Sequence, residues 1–213
     1  MIYTIGGIKG GSGKSTVATT LTVLLANSGR DVLFVDADDQ GTATDFTHWR
    51  GETLNSTGFT AIKLSNTAVR TEVLKLKSKY DDIVIDTGGR DTASQRAAMT
   101  VADVYIVPFI PRSFDMWTLE QVSKLIEDMK LANPDLRCFA ILNKTDSKGS
   151  DNNDAKEIIL ENGSFEYLDS PLGYRKAYAN AAAQGLAVTE IKPRDPKAIA
   201  EVEQMLQQIL SIK

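Results

Sequence analysis

The segment Lys9-Gly10-Gly11-Ser12-Gly13-Lys14-Ser15-Thr16 stands between a short apolar run and a stretch with apolar residues at helical spacing. It constrains the chain more than any other feature. A glycine-rich turn between a strand and a helix lets successive backbone N–H groups approach a polyphosphate, and the helix N-terminus adds its positive dipole. Lys14 then suits the β- and γ-phosphate oxygens as a point charge, and the Ser15 hydroxyl suits Mg²⁺. A glycine turn with surface lysines is the plain alternative, but it would not need a strand before it and a helix after it.

The rest of the chain repeats that strand–loop–helix alternation, as expected of βα units feeding a mostly parallel sheet. Apolar runs bounded by Gly or Asp predict strands at Ile2–Ile5, Val32–Asp36, Phe59–Leu64, Ile83–Asp86, Val104–Phe109, Cys138–Leu142 and Phe165–Leu168. Val17, Leu21, Leu24 and Leu25 predict an amphipathic first helix, closed by a left-handed cap at Gly29. Trp117, Val122, Leu125, Ile126 and Met129 mark a longer helix that Pro134 would stop. Ile199, Val202, Met205, Leu206, Ile209 and Leu210 form a C-terminal apolar stripe. The last twenty residues mix Arg194, Lys197 and Lys213 with Asp195, Glu201 and Glu203. They lack the basic face of a membrane-surface helix, which favours packing on the sheet. Ser147 to Asp154 reads as a polar loop.

The 213 residues suit one domain at roughly 150 residues per domain. Lys plus Arg number 24 against 28 Asp plus Glu, a net charge of −4, which excludes a polybasic nucleic-acid binder though not a local basic patch. The single cysteine, Cys138, excludes an intrachain disulfide and a cysteine-only metal site. No secretory leader pattern is visible, and no run of about 18 apolar residues predicts a membrane span. A cytoplasmic protein is expected.

Two more strand ends carry acids. Asp36 and Asp38 follow the second strand, and Asp86 closes the fourth. In open parallel sheets these ends face the crevice where ligands bind. A single strand-end aspartate is commonly a turn residue, but three in register with a phosphate turn point to Mg²⁺ and water. Gly88 and Gly89 then provide a loop able to move as a γ-phosphate arrives or leaves.

The common phosphate-binding pattern has glycine where this chain has Ile8, whereas Lys9 directly before the paired glycines is the deviant Walker A pattern. With Asp36-Ala37-Asp38-Asp39-Gln40-Gly41, Asp86-Thr87-Gly88-Gly89, Ile141-Leu142-Asn143-Lys144 and the Tyr178 to Gly185 helix end, the sequence resembles the ParA family of Walker-type partition ATPases, in the small form without an N-terminal helix-turn-helix domain. The resemblance covers nearly the whole chain. It implies a single α/β domain over residues 1–213, a P-loop NTPase with a mostly parallel sheet flanked by helices on both faces, using ATP and Mg²⁺.

Residue by residue, the resemblance implies that Lys9 to Thr16 bind the phosphates, including Gly10, Gly11, Ser12, Gly13 and Thr16. Lys14 and Lys9 act in catalysis, Lys9 from the other subunit of an ATP-bound homodimer. Ser15, Asp36 and Asp86 serve the metal, and Asp38 positions or activates the attacking water. Asn143, Lys144, Asp169, Pro171 and Leu172 lie on the adenine side. Asp39 replaces the family's usual proline, a departure within the loop after the second strand. The family reading further implies nonspecific duplex DNA as a partner of the ATP-bound dimer, nucleoid association, no membrane partner, and an adaptor of the ParB type that stimulates hydrolysis.

Three alternatives stay open at the sequence. A MinD-like cell-division ATPase shares the motifs. A nitrogenase-reductase-like carrier would need paired cysteines that Cys138 alone cannot supply. A nucleotide-binding interaction module would dimerise with little turnover. Arg175, Lys176, Lys192, Arg194 and Lys197 are the nearest basic cluster, equally readable as a solvated face. His48, placed in the loop after the second strand, receives no role. Cys138 reads as core, Lys75, Lys77 and Lys79 as exposed cations at a helix end, and Phe114, Met116 and Trp117 as core rather than contact residues.

Overall fold

A computed structural model describes residues 1–111, 118–146 and 150–212. Its elements run β1 (Ile2–Ile5), α1 (Lys14–Asn27), β2 (Val32–Ala37), α2 (Thr42–Leu54), β3 (Thr60–Lys63), α3 (Thr67–Leu76), β4 (Asp82–Thr87) and α4 (Ala93–Met99). They continue with β5 (Val104–Phe109), α5 (Leu119–Lys130), β6 (Arg137–Thr145), α6 (Asp151–Asn162), β7 (Glu166–Gly173), α7 (Lys176–Ala182) and α8 (Pro196–Leu210). The seven strands form one sheet in the order β3-β2-β4-β1-β5-β6-β7, and every pairing is parallel.

All seven predicted strands are found; β1, β2, β4 and β5 are buried along their whole length and so read as continuous apolar runs, while the edge strand β3 is largely exposed. Alternate residues serve two cores. Val32, Phe34 and Val84 face α1 and α8, while Leu33, Val35, Ile83 and Ile85 face α3, α4 and α5. Cys138 is buried in the second of these cores.

Three local expectations change. The first helix is not one-sided: Thr19, Thr20 and Thr22 are buried with its leucines, and Thr19 and Thr22 donate their hydroxyls to the carbonyls of Ser15 and Ala18. Returning a hydroxyl to the preceding turn removes the need for solvent. Asp151 to Asp154 are not loop but the first turn of α6, where acids complement the helix dipole. His48 lies exposed on α2, not in a loop. The long helix stops at Lys130, before Pro134, and Asn133 donates to the carbonyls of Met99 and Ala102. Trp117, Phe114, Met116, Ser147 and Lys213 lie outside the described residues.

Gly29 takes the left-handed conformation at φ +85°, and its N–H and that of Arg30 reach the carbonyls of Ala26 and Leu25. That pairing is a Schellman closure. At the other end of the chain, Asp195 caps α8 by accepting from the N–H groups of Lys197 and Ala198, and Pro196 starts the helix. Ala198, Val202, Met205 and Ile209 of α8 are buried against the sheet, so its stripe is a core surface.

Candidate nucleotide site

Strand order reverses around β1, and the carboxyl ends of β1, β2 and β4 open onto one crevice, the usual ligand position in such sheets. A cavity of about 620 Å³ occupies it, lined by Gly10, Gly11 and Gly13 to Thr16 of the glycine loop, by Asp38, Asp39 and Gln40, by Gly88, Gly89 and Arg90, and by Lys144. Three loops far apart in sequence therefore share one space.

Their contact is close. A Cβ on Gly89 would stand 2.8 Å from the Gly10 nitrogen, so only glycine lets the loop after β4 lie on the glycine turn. Gly88 lies beside Asp38, whose Oδ1 would be 3.0 Å from a Cβ there. Asp38 Oδ1 also accepts from the N–H of Gln40, which shapes the loop after β2.

Lys14 is buried at 6% exposure and donates to the Lys9 carbonyl at 2.8 Å, so its ammonium is held inside the turn. Behind the turn, Asn143 and Lys144 at the end of β6 reach the carbonyls of Ser12 and Gly11.

The two strand-end carboxylates differ. Asp36 accepts from the N–H of Asp38 at 3.1 Å and from the N–H of Thr44 at 2.8 Å, and the Thr44 hydroxyl adds a third bond. Asp86 is fully buried, and neither of its oxygens has a hydrogen-bond partner. Burial pushes its carboxyl up to about 7; Asp36 and Asp38 push the same way, while Ser15 and Lys14 oppose them. The Ser15 hydroxyl faces this carboxylate without completing a hydrogen bond of good geometry.

An orphaned buried carboxylate beside a hydroxyl fits a hard divalent cation. Among the described residues no set of three carboxylate, imidazole or thiolate side chains converges into a self-sufficient metal site. That suits Mg²⁺, which binds through one or two carboxylates, its own waters and substrate phosphates.

Other predicted residues fall elsewhere. Lys9 supplies the carbonyl that holds Lys14. The structure does not bring Asp169, Pro171 and Leu172 to the cavity. Asp169 pairs with Lys156 at 3.1 Å and its carbonyl accepts from Gln204 and Gln208. Pro171 is exposed, and Leu172 is buried in the core.

Of the basic cluster, Arg175 is committed to Glu201, whose Oε2 also accepts from Tyr178 and from the Gly173 N–H. Lys176, Lys192, Arg194 and Lys197 are exposed. Lys192 and Arg194 line a separate open groove with Asn180 and Gln184.

Sequence reasoning passed over an anchor beneath α2. Arg50 is buried at 3% exposure, pairs with Glu190 through both terminal nitrogens at 2.8 Å, and donates to the carbonyls of Thr57 and Gly185. A Cβ on Gly185 would stand 2.1 Å from the Arg50 nitrogen, so the turn after α7 is packed directly onto α2. Ala43, Phe46 and Arg50 are the buried residues of α2, and their helical spacing was the available signal.

Residues 3–188 match the family described as the CobQ/CobB/MinD/ParA nucleotide binding domain. The chain is 27% identical over 208 residues to maintenance of carboxysome distribution protein A of Halothiobacillus neapolitanus, covering 97% of this chain and 94% of that protein. Among solved structures, apo McdA of Cyanothece shares the fold with a TM-score of 0.82 at 19% identity over 98% of each chain. A plasmid partition protein of Borrelia burgdorferi bound to AMPPNP matches with a TM-score of 0.77 at 22% identity, also over 98% of each chain.

Proposed function

The chain belongs to the CobQ/CobB/MinD/ParA nucleotide-binding domain family, and from that premise we propose that it is an ATP-hydrolysing, dimerising switch that positions a large cargo. The observation that carries this reading is the partnerless buried carboxylate of Asp86, set under a glycine turn whose cavity also holds Lys14, Ser15 and Asp38.

In this reading the N–H groups of the glycine turn and the α1 N-terminus hold the phosphates. The Lys14 ammonium leaves the Lys9 carbonyl for the β- and γ-phosphate oxygens. Ser15 and Asp86 would hold Mg²⁺, with Asp36 supporting them through water. When bound, the metal neutralises charge on the β- and γ-phosphates. Asp38 orients a water in line with the bond between the γ-phosphorus and its bridging oxygen; ADP leaves with that oxygen and inorganic phosphate is released. Water attack on a loose phosphoryl centre needs positioning more than a strong base, which suits the half-buried Asp38 in the cavity wall.

Lys9 crosses to the nucleotide of a second subunit, so ATP closes a homodimer and hydrolysis reopens it. The ATP-bound dimer holds duplex DNA through exposed cations such as Lys176, Lys192, Arg194 and Lys197, and a cargo-bound adaptor of the ParB type triggers release. The named relatives, one for carboxysome distribution and one for plasmid partition, support a large cargo.

Phosphate release and sedimentation test the reading together. Asp38→Ala should bind ATP and dimerise with turnover reduced about 100-fold. Lys9→Ala should bind ATP and stay monomeric. Normal turnover in the first variant removes the water-positioning role, and normal dimerisation in the second removes the crossing lysine. Wild-type protein should retain nonspecific duplex DNA with Mg²⁺ and ATP but not with ADP, at fixed moderate salt. Retention in neither state redirects the switch to a protein or membrane surface.

A further inference from the structure

We propose that Arg90 grips the γ-phosphate of a nucleoside triphosphate in this cavity, so that the loop after β4 closes on a triphosphate and not on a diphosphate. The proposal rests on the nucleotide reading above and gives that loop its ligand contact.

The loop is built to present one side chain. Thr87, at its start, donates its hydroxyl to Gln95 Oε1 at 3.0 Å, and the Gly7 N–H donates to the same oxygen at 3.1 Å. Gln95 lies in the first turn of α4 and is fully buried. Both ends of the loop are therefore tied to each other and to the chain entering the phosphate turn. Between them, Thr92 accepts from the Gln95 N–H and caps α4, and Asp91 accepts from Arg96 Nε and Nη2, each at 2.7 Å. Asp91 is the carboxylate next to Arg90 in the chain, and Arg96 takes both of its oxygens. Arg90 stays exposed, with no hydrogen bond or ion pair among the described residues.

Its position marks the phosphate it meets. One residue earlier, a Cβ on Gly89 would stand 2.8 Å from the Gly10 nitrogen and 3.0 Å from the Lys9 carbonyl carbon. The oxygen of that carbonyl holds the Lys14 ammonium at 2.8 Å, the charge suited to the β- and γ-phosphate oxygens. Gly88 lies against Asp38 on the same side. The backbone thus delivers Arg90 to the Lys14 and Asp38 side of the cavity, whose wall it joins. Of the cations in that wall, Lys14 and Lys144 hold carbonyls of the turn, and Arg90 holds nothing.

The chemistry suits the place. A planar guanidinium offers two parallel N–H bonds to a phosphate, as Arg96 offers them to Asp91 in the same loop. A diphosphate still meets Lys14 and the turn, but it lacks the group that Arg90 would hold. Loss of the γ-phosphate then releases the loop, which makes its closure a readout of the bound nucleotide.

The test is displacement of a fluorescent ADP analogue by AMPPNP and by ADP, each with Mg²⁺. Arg90→Ala should weaken AMPPNP about tenfold and leave ADP within about twofold. Its urea midpoint should match wild type, because the side chain has no partner to lose. The same loss should appear in the Lys9→Ala chain, where each subunit is read alone. Equal losses for both nucleotides, or none, overturn the proposal. A loss that vanishes in the Lys9→Ala chain also overturns it and gives Arg90 to the dimer interface. Hydrogen exchange gives a second reading: AMPPNP but not ADP should slow the amides of Gly89 and Arg90, and Arg90→Ala should erase that difference. Equal exchange with either nucleotide in wild type would mean that the loop does not close on a triphosphate. Wild-type protein that binds neither nucleotide defeats the nucleotide reading itself.

Discussion

Asp36 and Asp86 end adjacent parallel strands and face each other in register across the β2–β4 ladder. Both are buried, at 3% and 0% exposure. One is satisfied and the other is not. Asp36 receives the N–H of Asp38 and both donors of Thr44, so it joins β2 to the first turn of α2. Asp86 receives nothing. A buried polar group without a partner is costly, and a chain that completes one carboxylate while leaving its neighbour open marks where an external charge belongs. Identical residues in register can thus be a joint of the scaffold and a seat for a ligand. The loops after them follow suit: α2 is fastened at its far end by Arg50, whereas the loop after β4 rests on the turn through Gly89.

The largest test of that contrast is Arg50→Met. Removing one member of a buried pair strands the other, so urea unfolding should show a loss of about 3 kcal/mol. Hydrogen exchange should speed at the Thr44 amide and stay slow at Thr87. Equal loosening of both would show that the two regions share one anchor.

Next comes Asp86→Asn, which should lower Mg²⁺-dependent ATP turnover about 100-fold. Asp36→Asn should lower turnover less and stability more. The reverse order would exchange the two roles. Thr44→Val is milder: it keeps the shape, removes the hydroxyl donor to Asp36 and should cost about 1 kcal/mol by denaturant midpoint, with turnover near wild type.

The strands and the phosphate turn were legible because their signals are local. Ile83 to Asp86 carries an apolar run ending in an acid, and the glycines between Lys9 and Lys14 announce a backbone approach without any tertiary knowledge. Arg50 was not read because a charged residue on a helix suggests solvent; its partner Glu190 is 140 positions away. The same limit hid what Asn143 and Lys144 touch, though not the two residues themselves. Their partners Ser12 and Gly11 become neighbours only once β6 is placed in the sheet and its last residues leave regular pairing with β7. Even the contrast between Asp36 and Asp86 depends on Thr44, which reads in sequence as one more polar residue after the glycine at 41.

The smallest expected effect is a pH dependence carried by the open carboxylate, Asp86, without nucleotide. Burial holds the Asp86 carboxyl up to about 7 from an ordinary 3.8. Between these values the folded chain keeps a proton that the unfolded chain has lost, so the contribution favours folding at low pH and disappears as pH rises through about 7. Asp86→Asn removes the titration and keeps the shape. The melting temperature of Asp86→Asn minus that of wild type should therefore grow from pH 4 to pH 7 and then level off. With Mg²⁺ and ATP the sign should reverse above pH 7, because the wild-type carboxylate then has a cation to meet and the amide does not. A flat difference across this range would mean that Asp86 already carries its charge in the free protein, and that the contrast with Asp36 is smaller than its missing hydrogen bonds suggest.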